Sequence, residues 1–205
     1  MPTETFFNLP EEKRQKVFDA AVAEFAAWPF SQASVNRIVE RAGISKGSFY
    51  QYFSGKEDLF VYLSQVIGEQ KKLVLNTTVQ EVGSDDLFST LRALYLGGLR
   101  FAAQHPDYAA IGRNMLKEKD SPVYQRLLAE GRETMLGWFQ SMLDEAVAAG
   151  RVRPDVNTHF TAYLIAALSA HVSEYYDEFV GEVFNERMLD MVDALIDLLR
   201  HGLEA

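Results

Sequence analysis

Residues 34–56 read Ser-Val-Asn-Arg-Ile-Val-Glu-Arg-Ala-Gly-Ile-Ser-Lys-Gly-Ser-Phe-Tyr-Gln-Tyr-Phe-Ser-Gly-Lys. Val35, Ile38, Val39 and Ala42 recur at i, i+3, i+4 and i+7, one apolar stripe of a short helix capped by Ser34. Gly43 stands where helices commonly end in a left-handed residue. Ser45 caps a second short helix, about Lys46 to Phe53, with Phe49 and Phe53 one turn apart on its inner side. Its outer side then carries Gly47, Ser48 and Gln51, flanked by Tyr50 and Tyr52. Helix, glycine-containing turn, helix is the helix-turn-helix arrangement, in which the second helix enters the DNA major groove. Hydroxyl, amide and phenol groups without a carboxylate suit that task, because they bond to phosphates and base edges without repelling the backbone.

Outward from this segment the chain reads as helix almost throughout. Upstream, Pro10 suits a first helical position, and Val17, Phe18, Ala21, Val22 and Phe25 form an apolar stripe that Pro29 ends. Downstream the expected helices span about 56–80, 86–104, 107–118, 121–149, 156–180 and 185–202. They are separated at Gly83-Ser84, His105-Pro106, Ser121-Pro122, Gly150 to Pro154 and Gly181. No sustained period-2 alternation is present. The expected fold is all-α: an N-terminal three-helix DNA-binding domain over 1–55, joined to a C-terminal helical bundle over 56–205 for ligand binding and dimerisation.

The charge of the 205-residue chain, −9, argues at first against a nucleic-acid partner. Its distribution removes the objection. Residues 30–56 carry +3, residues 1–56 carry +1, and residues 57–205 carry −10. The acid lies outside the candidate reading head.

The run Ala42-Gly43-Ile44-Ser45-Lys46-Gly47-Ser48-Phe49-Tyr50-Gln51-Tyr52-Phe53, followed by Lys56-Glu57-Asp58-Leu59, resembles the signature of TetR-family (TetR/AcrR type) transcriptional regulators. The resemblance covers about residues 10–62. It implies a homodimer that binds a palindromic double-stranded operator, usually as a repressor, and leaves it when a small ligand binds. It implies DNA contacts from Lys46, Ser48, Tyr50, Gln51 and Tyr52, and phosphate contacts from Ser34 and Lys56. Gly47 permits close backbone approach to DNA. Two positions depart from the family pattern. Gln51 stands where many members carry His, and Arg37 stands where an acid is common, adding a candidate base or phosphate contact.

The later helices carry two further expectations. Small residues such as Ala166 and Ala170, with Met188, Val192, Leu195 and Leu199 on a broadly apolar last helix, mark a two-helix face for a twofold mate. Tyr95, Phe101, Tyr108, Met115, Trp138, Phe139, Met142, Tyr163 and His171 are candidates to line a pocket for a small, largely apolar organic effector. Gly97-Gly98 inside a helix is costly, so a kink or a close helix contact is expected there.

Other chemistries find little support. Without cysteine there is no disulfide, thiolate metal site or Cys nucleophile. The four histidines form no i, i+4 pair, and Gly43 to Ser48 lacks the Gly-Lys-Ser/Thr order of a phosphate-binding loop. No enzyme activity, metal or cofactor is expected. The N-terminus is not a signal peptide, and Ala162–Ala170 falls far short of a membrane span. A cytoplasmic protein with no membrane association is the expectation. The alternative is a helix-turn-helix regulator without a small-molecule ligand, controlled by a protein partner.

Overall fold

The computed structural model describes residues 1–82, 86–179 and 187–203, with side chains over the same residues except 130, 170, 173, 174, 176, 177 and 179. The described residues form helices α1 (Glu4–Phe7), α2 (Glu11–Ala27), α3 (Val35–Ala42), α4 (Lys46–Tyr52), α5 (Lys56–Val82), α6 (Leu87–Gln104), α7 (Pro106–Lys117), α8 (Pro122–Ala148), α9 (Thr158–Phe179) and α10 (Arg187–Leu203). No β-strand occurs among them. The expected helices are therefore observed, with ends shifted by a few residues. The addition is α1, a single turn that the apolar periodicity does not announce. The breaks expected at Gly83-Ser84 and Gly181 lie outside the described residues.

The helix ends follow from particular residues. Gly43 ends α3 with φ 67°, its N–H donating to the Glu40 carbonyl and that of Ile44 to the Val39 carbonyl. Ser45 caps α4 by accepting the Ser48 N–H at 3.0 Å. Asp86 accepts the N–H groups of Phe88 and Ser89, at 2.7 and 2.9 Å, at the start of α6. Gly150, at φ 69°, closes α8.

The chain divides into two compact units. The first holds residues 1–71 with 102–127, and the second holds 72–101 with 128–205. This division differs from an expected boundary at 55/56. The reason is that α7 and the first turn of α8 supply Ile111 and Val123 to the same core as Phe6, Val17, Phe25, Ile38, Phe49, Phe53, Leu59 and Leu63. Asn114 on α7 also donates to the carbonyls of Phe25 and Ala26, at 3.1 and 2.9 Å, closing the end of α2. One turn later Glu118 accepts the Ser31 N–H at 3.1 Å.

From the opposite side the turn between α2 and α3 is gripped by Lys56. Its ammonium donates to the carbonyls of Phe30, Ser31 and Ala33 at 2.5, 3.3 and 2.8 Å, and sits 4.6 Å from the centre of the Phe30 ring. Burial lowers its pKa, an effect opposed by the Glu118 and Glu24 carboxylates.

The core of the second unit joins Leu87, Phe88, Leu91, Phe139, Leu143, Ala162, Ile165, Ala166, Met188, Val192 and Ile196. The glycine pair of α6 resolves into two cases. A Cβ on Gly97 would lie 3.0 Å from Leu75 Cδ2 and 3.2 Å from both Leu75 Cα and Thr78 Oγ1, so α5 and α6 touch backbone to backbone there. A Cβ on Gly98 would meet nothing within 4 Å.

Two stability predictions follow from these contacts. Gly98→Ala should stabilise the protein by about 1 kcal/mol through helix propensity. Gly97→Ala should lose that gain to overpacking and come out net destabilised by about 1 kcal/mol. Separately, Lys56→Met keeps the apolar stem but leaves the carbonyls of the 30–33 turn without their donor. It should cost about 1–2 kcal/mol. Chemical denaturation of each variant against the parent measures all three.

Candidate nucleic-acid interface

The candidate recognition surface is assembled on α4. Phe49 and Phe53 are completely buried and anchor one side of this seven-residue helix to the first core. The opposite side is thereby turned to solvent: Lys46, Gly47 and Gln51 are exposed, and Tyr50 is 53% exposed with its ring edge-on to Phe49 at 5.2 Å. Ser48 is half-buried, its hydroxyl 2.9 Å from that of Ser45. Tyr52 is half-buried and packs against the core, 6.0 Å from the Phe6 ring. No acidic residue lies between Lys46 and Phe53.

Ser34 and Ser45 precede their helices in the same way but are used differently. Ser45 makes its cap bond, whereas the Ser34 side chain makes none. The Ser34 backbone N–H donates instead to Glu24 at 2.7 Å. The Ser34 hydroxyl thus lies beside the first turn of α3, whose leading N–H groups have no partner within the helix.

Glu24 is the main feature that the sequence reading missed. It is only 3% exposed on α2, and both its oxygens engage Arg37: Nε lies 2.9 and 3.1 Å from them and Nη2 lies 2.5 Å from Oε1. Arg37 Nη2 also donates to the Gln32 carbonyl at 2.9 Å, and the guanidinium lies 5.2 Å from the centre of the Trp28 ring. The hydrogen bond to Glu24 raises the Arg37 pKa, so the group stays charged. Arg37 is therefore already paired inside the domain, while its side chain remains 46% exposed. A signal for Glu24 existed, since it continues the buried positions Val17 and Ala21 at helical spacing. Lys56 likewise has a place different from a free phosphate contact, because its ammonium faces three carbonyls of the turn.

The pocket candidates do not form one group. Tyr108 and Met115 belong to the first unit and pack on its core. Met115 also borders a cleft beside Phe25 and Phe60 with about 10 Å³ of free space, room for one water. Tyr95, Phe101, Trp138, Phe139, Met142, Tyr163 and His171 belong to the second unit. Phe139 is buried in that core, with Tyr95 and Met142 packed against it, and Phe101 is also buried. Trp138, Tyr163 and His171 are exposed. The Tyr95 hydroxyl is buried and accepts or donates no assigned hydrogen bond among the described residues. Ser169, whose hydroxyl donates to the Ile165 carbonyl at 2.7 Å, is the polar side chain beside it. Burial raises the Tyr95 pKa, keeping the phenol protonated.

The candidate dimer residues are also redistributed. Ala166, Met188 and Val192 lie in the chain's own core, Val192 completely so, because the wide apolar surface of α10 closes its own unit. Leu195 and Leu199 are half-buried, and the Ala170 side chain lies outside the described residues. Among the described residues the exposed large apolar side chains on these two helices are Phe160, Tyr163, Leu164 and Tyr175 of α9 and Leu198 of α10. Among the described residues no group of three or more His, Asp or Glu side chains is placed to hold a metal, and no helix is long and apolar enough to cross a membrane.

Comparison with known proteins agrees with this architecture. The family model for bacterial regulatory proteins of the tetR family matches residues 17–63. A TetR family transcriptional regulator from Chloroflexus aurantiacus is 32% identical, with a TM-score of 0.72 covering 100% of this chain and 99% of that one. The fatty acid metabolism regulator protein of Bacillus subtilis is 37% identical over 196 residues, 93% of this chain and 95% of its own length. The fold is shared by the transcriptional regulator FadR from Bacillus subtilis in complex with stearoyl-CoA, at 16% identity and a TM-score of 0.70 over 92% of this chain and 98% of that one. With a helix-turn-helix held on a buried aromatic core, and a likeness that runs the full length of a solved member, the chain belongs to the TetR family of bacterial transcriptional regulators.

Proposed function

We infer that this regulator binds a palindromic operator as a homodimer, acts as a repressor, and releases the DNA when a small, largely apolar effector binds the second unit. The observation that carries the DNA reading is the outer surface of α4. Lys46, Gly47, Tyr50 and Gln51 stand exposed on a helix whose other side is pinned by two buried phenylalanines. The uncapping hydroxyl of Ser34 supports a phosphate contact at the start of α3. Arg37 presents its outer edge on the same helix, and Ser48 and Tyr52 flank the reading residues. Lys56 contributes indirectly, by holding the turn.

Two-fold symmetry places two recognition helices about 34–36 Å apart, one helical turn of DNA. The exposed apolar residues of α9 and α10 supply a surface for that symmetry, since exposed apolar patches mark interaction sites. For the effector, the supporting observation is the buried Tyr95 hydroxyl, which has no hydrogen-bond partner among the described residues, because native proteins rarely leave such a group unsatisfied. A ligand acceptor group would satisfy it, while Phe139 and Met142 offer apolar contact. The relative found with stearoyl-CoA makes a long-chain acyl compound the first effector to test. The protein-partner alternative has no specific observation in its favour.

The ligand must bind the two states unequally, and a coupling of about 1–3 kcal/mol changes operator affinity roughly 5–150-fold. Selection from a random DNA pool followed by titration tests the DNA reading. Lys46→Ala and Tyr50→Ala should each weaken binding about tenfold, with the dimer intact by light scattering. Parent-like binding by either would remove α4 from the interface. Adding an acyl-CoA series to the bound operator should release it, and Tyr95→Phe should weaken that release. Unchanged operator affinity across the series would sink the acyl reading.

A further inference from the structure

We propose that residues 3–7 are a positioning clip for the recognition helix, with Thr3 as its polar jaw and Phe6 as its apolar one. This rests on the reading of α4 as the DNA-contacting helix. The family match begins at residue 17, so it does not extend to this segment.

α4 has seven residues, and a helix that short has little stability of its own. Its N-terminus is held by the Ser45 cap and its middle by Phe49. Its last carbonyls need other partners, because nothing further along the helix can donate to them. Phe53 supplies one, donating its N–H to the Phe49 carbonyl at 2.9 Å. The carbonyls of the final two residues are taken by Thr3. Its hydroxyl donates to the Gln51 carbonyl at 2.7 Å and its N–H to the Tyr52 carbonyl at 2.9 Å.

Phe6 fixes Thr3 in place. It is 1% exposed, and its ring lies 4.8 Å from Phe53, 5.4 Å from Tyr62 and 6.0 Å from Tyr52. One side chain of α1 therefore touches both the end of α4 and the start of α5. Of the two residues whose carbonyls are clipped, Gln51 faces outward, while Tyr52 packs against the core beside Phe6. Gln51 is exposed, and Tyr50 precedes it by one position. Clipping the backbone at Gln51 and Tyr52 sets the directions in which these side chains leave the helix.

An unclipped last turn lowers the fraction of heads competent to read sequence. A dimer must have both heads competent, so a fall to about one third per head weakens specific binding about tenfold. Binding to random DNA depends on charge rather than on side-chain direction, and should not change.

Thr3 has φ −75° and ψ 163°, values that proline adopts without strain, so Thr3→Pro removes both donors and leaves the backbone path intact. Thr3→Val removes only the hydroxyl, and Thr3→Ser keeps it. The experiment first recovers an operator with the parent protein from a random pool. It then measures Kd for that operator and for random DNA at fixed salt, with the active fraction titrated at high protein concentration. Amide exchange at Phe53 is followed in the absence of DNA.

The expected result for Thr3→Pro is about tenfold weaker operator binding, unchanged random-DNA binding, a full active fraction and faster exchange at Phe53. Thr3→Val should lose about threefold and Thr3→Ser should match the parent. Operator binding within twofold of the parent for both Thr3→Pro and Thr3→Val overturns the clip, as do equal losses on operator and random DNA. If the parent selects no DNA, the DNA reading of α4 fails. The clip is then judged by Phe53 exchange alone, with unchanged exchange in Thr3→Pro overturning it.

Discussion

Short helices at the edge of a domain have to be held from outside, and this constraint organises the whole first unit. α3 has eight residues and α4 has seven, too few for propensity to maintain them in water. Each is therefore fixed at both ends and along one side. For α3 the buried side is Ile38 and Ala42, the exit is the left-handed Gly43, and the entrance is tied to α2 through Glu24 and Arg37. For α4 the buried side is Phe49 and Phe53 and the entrance is Ser45. Every polar residue that could have served as an outward contact must be judged against this need for holding.

That competition explains how residues of similar type receive different duties. Lys46 and Lys56 are both lysines at the first position of a helix. Lys46 follows a turn that is already closed by Gly43 and Ser45, and its side chain is exposed. Lys56 reaches back to the turn 28–33, which contains Pro29 and carries carbonyls with no helix to donate to them. Its ammonium has three donors and meets three acceptors. Arg37 is drawn inward in the same way as Lys56. A buried carboxylate without a partner would be expensive, so Glu24 claims the arginine within reach.

The helical architecture was legible in the sequence because its signals are local. Apolar spacing located the long helices, Gly43 and Ser45 located the turn, and Phe49 with Phe53 fixed which side of α4 faces out. What escaped was long-range and polar. Thr3, Asn114 and Glu118 act on backbone groups tens of residues away, and no spacing rule connects them to those partners. The aromatic candidates escaped for a different reason. An aromatic at helical spacing reads alike whether it lines a pocket, fills a core or stays exposed. Phe139 is in the core, Trp138 beside it is 39% exposed, and their ring centres are only 5.3 Å apart. The apolar surface of α10 was read correctly as wide, yet much of it closes its own unit at Met188, Val192 and Ile196.

α7 extends the first unit well beyond the helix-turn-helix. The observed first unit contains α7, bonded to the end of α2 by Asn114 and to the following turn by Glu118. Its residues therefore pass into those of the second unit along three continuous helices: α5 after residue 71, α6 before residue 102 and α8 after residue 127. A helix resists bending because its hydrogen bonds run unbroken along it, and sharp kinks need a proline, a glycine pair or an inserted group. Of the three, α6 alone carries adjacent glycines, and Gly97 there is committed to contact with α5. The Gly97 contact holds α6 against α5 within the second unit, and because it is made to the Leu75 backbone it cannot be relieved by a side-chain rotation alone.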